Sequence, residues 1–75
     1  MELQRDNPEA QHNLGLSYLE AKNYEQAKEH FSVAIDIKPK NPIYYNNKAL
    51  ALYYANEFKE ALEFFENAIN IGVNN

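Results

Sequence analysis

The chain contains no cysteine and no tryptophan, and only one methionine, two glycines and three prolines in 75 residues. Without cysteine it has neither disulfides nor thiolate metal ligands, so so small a domain must draw its stability from packing or from a partner, and the cytoplasm is its expected compartment. Two isolated glycines, Gly15 and Gly72, cannot build a glycine-rich phosphate loop. The longest apolar run, Ala49 to Ala55, falls far short of the roughly 20 residues a membrane span needs. Residues 1–7 are too polar for a signal peptide. Positive charge is also scarce. Seven Lys and Arg stand against eleven Asp and Glu, and a net charge of −4 opposes the counterion release that dominates nucleic-acid affinity.

Catalytic chemistry is equally thin. No nucleophile–base pair is present, and the two histidines, His12 and His30, lie on different segments without metal-ligand spacing. Glu60, Glu63 and Glu66 recur at helical spacing, which describes a solvated helix face better than a pair of catalytic carboxylates. No enzyme activity, cofactor or metal site is expected. What remains is an ordinary globular composition, 45% hydrophobic and 24% charged, which is enough to fold.

The sequence repeats itself. Asn7-Pro8 returns as Asn41-Pro42, and aligning residues 8–41 with 42–75 makes 11 of 34 pairs identical, among them Leu16/Leu50, Ala27/Ala61, Phe31/Phe65 and Ile35/Ile69. A period of this length marks stacked supersecondary units, none of which buries its apolar face alone. Within one unit Leu14, Tyr18 and Ala21 fall at i, i+4 and i+7, and Ala27, Phe31, Ala34 and Ile35 at i, i+4, i+7 and i+8, so both segments are amphipathic helices. Asn7 and Asn41 are suitable N-caps, each followed by a proline at the first helical position. Asparagine at Asn23 and Asn56 suits the turns between helices, while Pro39 and Gly72 mark helix ends. The expected organisation is an extension over 1–7, one hairpin over 8–41 with helices near 8–21 and 24–37, and a second over 42–75 with helices near 42–55 and 58–71.

Leu14-Gly15-x2-Tyr18, Ala27-x3-Phe31, Ala34 and Pro39, with Tyr45, Ala49, Leu52, Ala61-x3-Phe65 and Ala68 in the second copy, resemble the tetratricopeptide repeat. The pattern is broken at Lys48 and Val73. This resemblance implies an all-α fold: two helix-turn-helix hairpins, four antiparallel helices in all, stacked as a right-handed α-solenoid. It further implies a protein-protein interaction module that binds a peptide or helix along a concave wall formed by the first helix of each repeat. The candidate groove residues are then His12, Asn13, Leu16 and Leu19 with Asn46, Asn47, Leu50, Tyr53 and Tyr54. Asn13 and Asn47 would offer amides to a peptide backbone, and the leucines and tyrosines would offer apolar area. The clamp by which some members hold acidic chaperone tails is not expected, because His12 and Leu16 stand where lysine and asparagine belong.

The second hairpin differs from the first on its outward side. Leu62 and Phe64 replace Lys28 and His30, giving the last helix apolar residues nearly all round, and exposed apolar area of that kind marks an interaction site. Leu62, Phe64, Phe65 and Ile69 are therefore the candidate self-association face. The partner expected there is a second copy of the chain, as a homodimer or larger homo-oligomer, or the next repeat of a longer array.

Overall fold

A computed structural model describes residues 7–74 as four helices: α1 Pro8–Glu20, α2 Tyr24–Ile37, α3 Pro42–Tyr54 and α4 Phe58–Asn74. Residues 1–6 of the expected N-terminal extension, and Asn75, lie outside this description. Asn7 caps α1 through its side chain, which accepts from the backbone N–H of Glu9 at 2.9 Å and of Ala10 at 3.3 Å. Asn41 does the same for α3, accepting from Ile43 N–H at 2.9 Å. These bonds satisfy donors that the first helical turn leaves without partners, and Pro8 and Pro42 begin the helices with φ already set.

Both hairpins turn by the same device. Lys22 N–H donates to Leu19 C=O at 3.0 Å and Asn23 N–H to Tyr18 C=O at 2.8 Å; Asn56 N–H donates to Tyr53 C=O at 3.0 Å and Glu57 N–H to Leu52 C=O at 2.8 Å. This is the Schellman closure, and it requires the left-handed conformation at Lys22 (φ 64°) and Asn56 (φ 68°). In the first turn, therefore, lysine bends the chain, and the neighbouring Asn23 stands at the start of α2 without a side-chain capping bond. The carbonyls of Asn23 and Glu57 then accept from Ala27 and Ala61 N–H, so each closing residue also opens the next helix.

The four helices pack in sequence, α1 on α2, α2 on α3 and α3 on α4, with only a narrow contact between α1 and α3. Buried Ala27, Phe31 and Ala51 form the core, with Leu16, Tyr18 and Leu19 packed against it. Close approach depends on Gly15. A Cβ there would lie 2.6 Å from the Phe31 ring, which is fully buried over α1. In the second hairpin Ala49 occupies the glycine place, and Phe65, the counterpart of Phe31, remains partly exposed.

One expected boundary is displaced. Gly72 does not end α4, which runs on to Asn74. A glycine stops a helix by turning left-handed, and no glycine has positive φ among the described residues. In the first hairpin the stop falls one position later, at Pro39, which cannot continue a helix. Val73 stands there in the second.

Candidate binding surface

The candidate groove residues do not form one uniform row. His12, half-buried, lies where α1 meets α3: its ring centroid is 5.0 Å from that of Tyr44 and 5.8 Å from that of Phe31, and its Nε2 accepts from Asn47 Nδ2 at 2.6 Å. His12 and Asn47 thus satisfy each other across the joint between hairpins. Partial burial lowers the His12 pKa, against an opposing pull from the Glu9 carboxylate, so the ring is held neutral with a free lone pair for Asn47. Asn13, identical to Asn47 by repeat position, is exposed, and among the described residues no helix lies beyond α1 to meet it.

Leu16 and Leu19 are half-buried, turned partly toward the core cluster; Leu50 is half-buried on α3. Tyr53 and Tyr54 are 50% and 53% exposed at the end of α3. They belong to a band of rings that the sequence pattern did not single out. Tyr24 sits 5.9 Å from Tyr54, Tyr54 5.4 Å from Tyr53, and Tyr53 5.4 Å from Phe58. The signal was present, since Tyr24 and Phe58 are equivalent first residues of the second helices. Asn46 sits apart from the others, in a depression it lines with Pro42, Ile43, Phe65, Ala68 and Ile69.

The candidate self-association face also separates. Leu62 and Ile69 are 58% and 62% exposed, and Phe65 is partly so. Phe64 does not lie with them: its ring is 6.0 Å from that of Tyr45, and Lys48 Nζ sits 4.4 Å above it. This pairing explains the break in the pattern at Lys48. The lysine takes a half-buried place, which lowers its pKa chiefly through desolvation, and Phe64 offers the ammonium an aromatic face. Phe64 therefore packs within its own hairpin.

Two further links fix the joint. Lys28 Nζ bonds Glu57 Oε1 at 2.6 Å and Glu25 Oε2 at 3.2 Å, and this pairing raises the lysine pKa. Tyr45 Oη donates to the Pro39 carbonyl at 2.8 Å. Between the two helices of the first hairpin, His30 Nδ1 donates to Gln11 Oε1 at 2.9 Å and its ring stacks on Tyr18 at 5.3 Å. Among the described residues no group of His, Asp and Glu could hold a metal ion, and no helix is long and apolar enough to cross a membrane. The surface offers amides, phenols and apolar area.

The family model described as tetratricopeptide repeat matches residues 8–41 and 42–75. Those bounds coincide with the repeat found by self-alignment. Comparison with curated proteins gives no match.

Proposed function

Because the chain belongs to the tetratricopeptide repeat family, whose members are in general protein-protein interaction modules, we propose that it binds an extended peptide or a helix along α1 and α3. The supporting observation is that Asn13, Tyr53 and Tyr54 are exposed on α1 and α3 while Leu16, Leu19 and Leu50 on the same helices are half-buried. Amides satisfy a peptide backbone, phenol rings supply rigid area with a polar tip, and leucines supply apolar contact. His12 and Asn47 set the spacing of the two helices and hold the wall in place.

Panning a random peptide display library on the intact chain tests this reading. Tyr53→Ala combined with Asn13→Ala should release the captured peptides, while the exposed Leu62→Glu should not. Peptides that survive the first change and are lost with the second would overturn the groove. Asn47→Ala is a poor probe, because it also strips His12 of its partner.

A second reading rests on the exposure of Leu62, Phe65 and Ile69: α4 is an association surface, through which the chain assembles with another copy or with further repeats. The family's interaction role is compatible with either.

A further inference from the structure

The outer side of α4 carries Phe58, Leu62, Phe65 and Ile69 at intervals of four, three and four residues, the spacing of a seam made to meet another helix. Phe58, Leu62 and Ile69 are each more than half exposed, and Val73 prolongs the strip at 77%. The same side of α2 is already used for docking within the chain. There Phe31 is fully buried, Lys28 bonds Glu57 of the second hairpin, and the Tyr24 ring meets Tyr54. The α4 seam therefore continues an existing interface by one repeat.

What covers it follows from carrying the contacts of that joint forward by 34 residues. A second copy docking head to tail would set Asn23 against Leu62, in place of Glu57 on Lys28, and Glu20 against Phe58, in place of Tyr54 on Tyr24. Both substitutions bring a polar or charged group onto apolar area. The seam fits its own likeness better. Its edge beside α3 is lined by Ala61 and Ala68, and its free edge carries Lys59 and Glu66, one on each side of its midpoint. Antiparallel pairing sets Lys59 of each copy near Glu66 of the other, whereas parallel pairing sets this charged edge against the alanine edge of the other copy and leaves both charges without a partner.

We propose that the chain forms a two-fold homodimer in which α4 packs antiparallel on α4 of a second copy. Leu62 of each copy layers with Phe65 of the other, and Phe58 of the second copy enters the depression lined by Ile43, Asn46, Phe65, Ala68 and Ile69. The interface is isologous, with the same patch contributed twice. This rests on the second reading above and adds the partner, its orientation and the residues that meet.

Sedimentation equilibrium of the full chain, with disulfide trapping, tests it. The dimer is expected, and Leu62→Glu should raise its dissociation constant at least tenfold while the circular dichroism stays helical, since Leu62 lies outside the core. The chain has no cysteine of its own, so introduced thiols report geometry cleanly. Phe58→Cys mixed with Ile69→Cys should cross-link to each other on mild oxidation, and neither variant should cross-link to itself. A monomer at millimolar concentration overturns the proposal and leaves the association reading only its other form, assembly with further repeats. A dimer indifferent to Leu62→Glu overturns the α4 location, and a dimer in which Ile69→Cys links to itself overturns the antiparallel orientation alone.

Discussion

On α2 of the first hairpin Phe31 is fully buried and Lys28 bonds Glu57 of the second hairpin; at the equivalent positions of α4 Phe65 is partly exposed and Leu62 more than half exposed, with Ile69 and Val73 beside them and nothing over them among the described residues. The two hairpins share a framework of Ala27/Ala61, Phe31/Phe65, Ala34/Ala68 and identical Schellman turns, so the contrast does not come from the fold. It comes from what lies against each helix, α3 against α2 but no further described helix against α4, and from a few substitutions at equivalent positions. Lys28 became Leu62, Gly15 became Ala49, and Pro39 became Val73. Framework residues set the shape of each unit, and the residues between them decide whether a unit ends the stack or continues it.

The sharpest way to break the comparison is to truncate the two equivalent phenylalanines. Phe31→Ala removes a fully buried ring and should cost about 3–5 kcal/mol. In so small a domain that leaves little or no folded protein. Phe65→Ala should cost less than half as much, because the ring is only partly buried. Urea denaturation followed by circular dichroism measures both, at a concentration low enough to keep the chain monomeric. Equal losses would mean that the second hairpin is as fully packed as the first.

Gly15→Ala comes next. The new methyl group would lie 2.6 Å from a ring that has no free space to retreat into, an overpacking strain of about 1–3 kcal/mol, offset in part by the better helix propensity of alanine. The chain already carries alanine at the equivalent position 49, in the hairpin whose own phenylalanine, Phe65, is partly exposed. A net destabilisation by urea midpoint, accompanied by increased exposure of the Phe31 ring, would show that the glycine is what seats that ring.

The smallest expected effect belongs to the joint. Burial lowers the His12 pKa below the unfolded value of about 6.5, so the folded state prefers the neutral ring. The unfolded chain then binds more protons in that window, and stability falls with acidification from about pH 6.5 down through the folded pKa. Protonation also sets an N–H against the Asn47 amide that Nε2 now accepts from. His12→Gln keeps an acceptor for Asn47 and should flatten this part of the profile of thermal midpoint against pH. An unchanged slope in the variant would assign the dependence to other groups.

The four helices, their proline starts and their order are legible in the sequence, because caps and 3.6-residue periodicity are local properties. Less is legible wherever two side chains compete for one place. Both Asn13 and Asn47 were candidate peptide-binding amides; the structure engages Asn47 with His12, a partner 35 residues away that one-dimensional periodicity cannot supply. Phe64, which replaces His30, counts as outward with Leu62 when the repeats are compared, and its turn inward depends on Lys48 and Tyr45 from the neighbouring helix. The left-handed residue of the first turn is Lys22, although Asn23 has the better intrinsic preference, since the closure fixes the bend at the second residue past Glu20. Gly72 illustrates the reverse limit: a residue permitted to turn left-handed does so only where the chain must reverse.

The two turns also bear on the order in which the molecule assembles. Each closes with hydrogen bonds between residues three and five positions apart, so either hairpin can begin without the other. The bond from Asn47 to His12 and that from Lys28 to Glu57 join residues 35 and 29 positions apart, and they require both hairpins to be present. Meeting of the two units, rather than bending within either, is the step with the longest chain to close, and the speed of folding should be governed there.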